Sequence, residues 1–193
     1  MLDFALYIGR FQPPHYGHLQ SVKYGLKLAK TVIIGIRMTS INLKNPLTVQ
    51  ERIECWKRLL TYFNIPLDRV KLVPVDDFNK RAKIPDDDKV IYKQCSLLDW
   101  AEEIQNKLGI RPDTTIVIAN KPQIVVAFNL LGYVVFPAHR NRYRLVDVSA
   151  TELRNLILKG DEKWKDMLPK PVVDFLEEIK IRERLLSLKN KEK

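Results

Sequence analysis

Apolar positions in the first part of the chain follow two different periods. Phe4-Ala5-Leu6-Tyr7-Ile8 is a continuous apolar run, the pattern of a strand buried on both faces. From Leu19 to Ala29 the apolar residues Leu19, Val22, Leu26 and Ala29 recur at helical spacing. Thr31-Val32-Ile33-Ile34-Gly35-Ile36 then returns to a continuous run, so strand, helix and strand predict a βαβ unit. The alternation continues with a helix from Thr48 to about Phe63, with Val49, Ile53, Trp56, Leu59, Leu60 and Phe63 on its apolar side. Its start carries a capping box, Thr48 with Glu51 three residues on. Strands are predicted over Val70–Val75, Thr115–Ala119 and Tyr133–Pro137. Between them lie an amphipathic helix over Leu97–Leu108 and a second over Gln123–Leu131, which Gly132 ends as a C-cap. Five strands separated by helices predict an α/β fold, a doubly wound parallel sheet with right-handed crossovers. A helical region over 149–193 follows, and the whole of 1–193 is expected to be a single domain without internal repeats.

Candidate chemistry gathers where these strands end. The loop Gly9-Arg10-Phe11-Gln12-Pro13-Pro14-His15-Tyr16-Gly17-His18 leaves the carboxyl end of the first strand, the edge at which open α/β sheets bind ligands. Gly9 permits a sharp turn or close approach, and Pro13 and Pro14 stiffen the path into the helix. His15 and His18, three apart, can share one side of the first helical turn, where free amides and the positive end of the helix dipole lie. Two imidazoles, an arginine and a helix amino terminus suit a polyanion; a surface histidine pair beside a Pro-rich turn is the plain alternative. The chain has only 3 His, and two of them flank one Gly at a strand-to-helix switch, which favours the polyanion site.

A second anion site is predicted at Ser149-Ala150-Thr151-Glu152-Leu153-Arg154. This is another capping box, with Ser149 as N-cap, a hydroxyl on Thr151 and a fixed charge on Arg154. Asp76-Asp77, at the end of the third strand, could hold Mg2+ through water or cap a turn. His139-Arg140-Asn141-Arg142-Tyr143-Arg144 is a basic loop placed for phosphate or substrate contact.

Gly9–His18 resembles the HxGH signature of the nucleotidyltransferase superfamily. Its GRFQP portion is more narrowly similar to archaeal-type nicotinamide mononucleotide adenylyltransferases. Three further stretches match that family. Asn45–Arg52 resembles its NPFTxxER segment with Leu47 in place of Phe, Val148–Arg154 its ISxTxxR motif with Ala150 in place of Gly or Ser, and Lys163–Val173 its EKWEDLVPKAVVE segment. The resemblance implies a Rossmann-like fold, ATP and nicotinamide mononucleotide as substrates, and NAD as product. It also implies Mg2+ bound mainly through ATP phosphates, with no dedicated protein metal site. Gly9, Arg10, Phe11, His15, Gly17, His18, Ser149, Thr151 and Arg154 would then bind ATP, with His15, His18, Arg10 and Arg154 catalytic. Trp100, Asn120 and Arg140 would bind the mononucleotide, Trp100 by stacking on the nicotinamide ring and Asn120 through the carboxamide, in a turn where Ala119 and Lys121 depart from the family. Arg52 reads equally as a functional or a structural residue. The family is shorter near 77–96, so that segment is expected to be a surface excursion, a flap or an oligomer contact.

Composition changes this picture little. With 193 residues, 46% hydrophobic and 29% charged, the chain is of ordinary globular type. Cys55 and Cys95 sit in no metal-ligand spacing and suggest reduced thiols and a cytoplasmic setting, with no membrane span and no signal peptide expected. The net charge of +10 suits small polyanions or nucleic acid. It is spread along the chain without a nucleic-acid-binding motif, so no specific nucleic-acid partner is expected. A homo-oligomer is expected, with the segment near 77–96 as a candidate contact. Two alternatives remain: a related enzyme using another phosphorylated acceptor or CTP, and a nucleic-acid-binding protein on the same scaffold.

Overall fold

Strand β1 (Leu2–Gly9) lies at the centre of a five-stranded sheet with β2 (Ala29–Arg37) on one side and β4 (Thr115–Ile118) on the other. β3 (Val70–Val75) and β5 (Val134–Phe136) complete the order β3-β2-β1-β4-β5, and every pair is parallel. The computed structural model describes residues 1–77, 89–138 and 150–191, with only the backbone described for 89–96. The strand order reverses between β1 and β4, the switch point at which doubly wound sheets open a crevice. The predicted α/β class and all five strands are present.

The described residues fall into two compact units interleaved along the chain. The first contains Met1–Gly9, Ser21–Met38 and Asp68–Ala138. It holds the sheet, α3 (Lys89–Leu108) and α4 (Pro122–Leu130). Leu6, Ile8, Ile33 and Val117 from the strands meet Trp100, Ala101 and Ile104 of α3 and Ile124, Ala127 and Phe128 of α4 in one buried cluster. Helix α1 (Tyr16–Leu28) brings Gly25 against the sheet, where an added Cβ would sit 2.9 Å from a Val32 methyl and 3.2 Å from the Ala5 Cβ. Gly132 has φ +84°, a conformation that favours glycine and ends the helix before β5 as expected.

The second unit contains Arg10–Gln20, Thr39–Leu67 and His139–Lys193. Here α2 (Val49–Tyr62) packs on α6 (Lys170–Glu178), and α5 (Ala150–Lys159) on α7 (Ile181–Lys191). The capping box of α2 is formed, with the Glu51 amide donating to Thr48 Oγ1 at 3.1 Å and the Thr48 amide to Glu51 Oε2 at 2.8 Å. Arg184 of α7 donates to the same Glu51 carboxylate at 2.7 Å and to the Pro46 carbonyl at 3.2 Å. Trp164, from the Lys163–Val173 motif, is buried.

Two element bounds shift notably from the sequence reading. Ala29 opens β2 instead of closing α1, because it pairs with Leu2 in the parallel ladder. α3 begins at Lys89, ahead of the predicted Leu97, so its first turns use part of the stretch read as an excursion. The remainder of that excursion, 78–88, lies outside the described residues, as does 139–149 with Arg140 and Ser149. Among the described residues no helix is long and apolar enough to cross a membrane.

Candidate active site

The path from β1 into α1 is pinned residue by residue within the second unit. The Arg10 guanidinium donates to Asn45 Oδ1 at 3.4 Å. The Arg10 carbonyl accepts a 2.7 Å bond from Arg52 Nη1. Phe11 follows at φ +51°, a left-handed conformation that costs an aromatic residue. Its ring is buried at 2% exposure and packs edge-on to His18 (4.9 Å between centroids) and Trp56 (5.2 Å). The Gln12 side chain both donates to the Leu47 carbonyl and accepts from the Leu47 amide, each at 2.9 Å, a two-point pairing to the segment before α2.

The two histidines are oriented by backbone donors. The His15 amide donates to His18 Nδ1 at 3.2 Å, and the Gly17 amide donates to His15 Nδ1 at 3.2 Å. A ring nitrogen that accepts carries no proton, so each neutral imidazole holds its hydrogen on Nε2. The rings stack at 3.6 Å between centroids with planes 27° apart. Burial, and then the charge of His15, hold His18 well below the ordinary value of 6.5, so it is neutral at physiological pH. Gly17 makes this possible: a Cβ there would approach the His15 ring to 3.2 Å. The pair therefore fixes two Nε2–H donors at the amino terminus of α1, complementary to oxyanions.

Arg154, in the first turns of α5, donates to Thr151 Oγ1 at 3.3 Å. Burial, and then the positive charge of Arg10, depress its guanidinium below the usual arginine value. Two arginines that feel each other's charge are best relieved by an anion. Arg10, His15, His18, Thr151 and Arg154 thus share one unit with no carboxylate among these side chains, the composition of a phosphate site.

Other predicted residues stand elsewhere. Phe11 offers no open ring face; it supports His18 from behind, so any ATP contact there would come from its backbone. Trp100 also departs from the expectation of an exposed stacking ring. It is fully buried in the core of the first unit, edge-on to Phe128, with its indole N–H donating to the Asp76 carbonyl at 2.7 Å. The helix phase that places Ala101 and Ile104 inward carries Trp100 with them. Asn120 is exposed beyond β4, and its side-chain amide donates to the Ala138 carbonyl at 3.0 Å. Asp77 forms a buried ion pair with Arg37, so its carboxylate is engaged by a cation and not poised for a metal. Among the described residues no group of three or more His, Cys, Asp or Glu could hold a metal ion. Gln12, Asn45 and Arg37 were not singled out from the sequence; Gln12 and Asn45 lie inside the recognised motifs, but nothing in their spacing marks them as partners of Leu47 and Arg10.

The family model described as cytidylyltransferase-like matches residues 6–156. The nicotinamide-nucleotide adenylyltransferase of Pyrobaculum aerophilum is 33% identical over 183 residues, covering 94% of this chain and 91% of that protein. That of Thermococcus sibiricus is 32% identical over 186 residues, covering 95% and 88%. A bifunctional NMN adenylyltransferase/ADP ribose pyrophosphatase from Francisella tularensis, solved with AMP and a manganese ion, superposes with a TM-score of 0.70 at 21% identity. That match covers 97% of this chain but 52% of the other, so the chain spans about half the bifunctional protein and the likeness is one of fold. With its HxGH loop intact and the relatives aligned over nearly its whole length, the chain belongs to the cytidylyltransferase-like family, among the nicotinamide-nucleotide adenylyltransferases.

Proposed function

We propose that this protein transfers the adenylyl group of ATP to nicotinamide or nicotinate mononucleotide, giving NAD or deamido-NAD and pyrophosphate. The observation that carries the chemistry is the His15–His18 pair, two stacked imidazoles whose Nδ1 atoms accept backbone N–H bonds, leaving Nε2–H as donor beside Arg10 and Arg154. A 5′-phosphate oxygen of the mononucleotide bonds to the α-phosphorus of ATP while the bond from that phosphorus to the α,β-bridging oxygen breaks. The electron pair leaves with pyrophosphate. The attacking phosphate is already anionic, so neither a covalent enzyme nucleophile nor a strong general base is required. Catalysis is positioning together with neutralisation of charge on the transferring group.

In this reading His15 and His18 donate to oxygens of the α- and β-phosphates, and Arg10, Thr151 and Arg154 hold the triphosphate. Gly9 and Gly17 allow the close backbone approach. Ser149 joins this set on the strength of the family motif, and Arg140 the mononucleotide set by its place in the basic loop before that motif. Asn120, whose side-chain amide donates to the Ala138 carbonyl, is assigned to the carboxamide on the family resemblance. The side chains assigned to the phosphates include no carboxylate, and among the described residues no cluster of His, Cys, Asp or Glu could hold a metal ion, so Mg2+ would enter with ATP as part of the substrate. A divalent ion supplies charge neutralisation there.

The test is a matrix of nucleotides (ATP, CTP) against phosphorylated acceptors, nicotinamide and nicotinate mononucleotides among them, followed by pyrophosphate release. Release with ATP and a pyridine mononucleotide supports the reading. Release only with CTP, or only with a different acceptor, replaces it with the alternative nucleotidyltransferase.

A further inference from the structure

We propose that Arg52 is a positioning residue for adenylyl transfer, acting through the backbone of Arg10; this rests on the reaction assigned above. Arg52 is fully buried. Its Nη1 donates to the Arg10 carbonyl at 2.7 Å and its Nε to the Thr48 carbonyl at 3.0 Å. The Thr48 carbonyl also accepts the Arg52 amide at 3.2 Å, so the guanidinium stands on the first turn of α2 and reaches outward to the signature loop. Burying a cation is costly unless its donors are used, and here two of them close a bridge between the capped end of α2 and the residue that carries the phosphate-facing guanidinium.

The bridged carbonyl matters because of what it adjoins. The peptide that Arg52 grips links Arg10 to Phe11, and Phe11 is the residue held at φ +51°. Rotation of that peptide would swing the Arg10 side chain and release the Phe11 ring from His18. Gln12 is gripped next by Leu47. Arg10, Phe11 and Gln12 are therefore each tied, by carbonyl, ring and amide respectively, to the segment Leu47–Trp56. The capping box and Arg184 fix that segment in turn. Arg52 is the only one of these ties that is itself charged and fully buried among the described residues that touch the loop. A lysine cannot replace it, since a single ammonium on a flexible stem does not reproduce a planar fork spanning two carbonyls.

The experiment is a double-mutant cycle with Arg52→Lys and Arg10→Ala, scored by kcat and by KM for both substrates. Displacement of the loop by about an ångström is expected to lower kcat for Arg52→Lys about tenfold to a hundredfold with both KM values little changed. The double variant should then be no slower than Arg10→Ala, because the aim of a missing guanidinium no longer counts. Losses that multiply, or a kcat for Arg52→Lys within about threefold of wild type, would overturn the proposal. If circular dichroism shows Arg52→Lys unfolded, Arg52→Gln, which keeps a donor without charge, is carried through the same cycle. A wild-type protein that forms no dinucleotide would fault the reaction itself; a fully active wild type with a multiplicative cycle faults only the role of Arg52.

Discussion

The imidazoles of His15 and His18 lie stacked at 3.6 Å, and each accepts a backbone N–H on Nδ1. Protonating His18 would turn that acceptor into a donor facing the His15 amide, beside a second imidazole. Its folded pKa is accordingly depressed, by burial and then by His15, below the ordinary 6.5. The sign of the linkage follows: below about pH 6.5 the unfolded chain binds a proton at this residue that the folded chain does not. Stability is thus fully present above that pH and declines on acidification toward the folded pKa. Urea midpoints from pH 7.5 to 5 should fall more steeply for wild type than for His18→Asn, whose Oδ1 keeps the acceptor without titrating. Equal slopes would contradict the arrangement.

His18→Ala is expected to fold normally and to lose about 10²- to 10³-fold in kcat, the usual cost of removing one fixed donor to a transition-state oxyanion. Circular dichroism and steady-state turnover measure both quantities on one preparation. Near-wild-type turnover with every nucleotide and acceptor tried would remove the histidine pair from the chemistry.

Trp100 sits in the core with its N–H given to Asp76. Trp100→Ala should therefore cost about 3–5 kcal/mol in denaturant unfolding, as large aromatic truncations do. Trp100→Phe, which refills most of the space, should leave KM for the mononucleotide close to wild type. A selective rise in that KM, with KM for ATP unchanged, would return Trp100 to the ring pocket.

Gly25→Ala sets two effects against each other. Helix propensity favours alanine by about 1 kcal/mol. The added Cβ would meet Val32 at 2.9 Å, Ile118 at 3.1 Å and Ala5 at 3.2 Å, and the last is fixed directly to the strand backbone. Overpacking of this kind costs about 1–3 kcal/mol, so the net change should be destabilising. A raised melting temperature would show that α1 can lift from the sheet at little cost.

The legible part of this molecule was the part with a strict period or a local code. The continuous apolar runs gave all five strands, because parallel strands covered on both faces admit few polar residues. The Thr48–Glu51 box gave the start of α2 within a residue, because both of its bonds span only three positions. The HxGH spacing located the histidine pair. The support beneath it was not legible: Gln12 meets Leu47 and Arg52 meets Arg10 across 35 and 42 positions, and no local pattern encodes such pairs. The placement of Trp100 was not legible for a related reason. Its resemblance to a stacking residue was positional, whereas its helix phase, shared with Ala101 and Ile104, decides that it faces the core.

When a mononucleotide phosphate attacks the α-phosphorus of ATP, the α-phosphate enters the dinucleotide and the β- and γ-phosphates leave together. The most direct measurement follows label from ATP in the presence of nicotinamide mononucleotide and Mg2+. Label on the α-phosphate is predicted to appear in NAD, and label on the γ-phosphate in pyrophosphate, in equal amounts and at a rate strongly reduced in His18→Ala. Recovery of the α-label only as AMP, or of the γ-label as orthophosphate with no dinucleotide formed, would rule out adenylyl transfer to the mononucleotide.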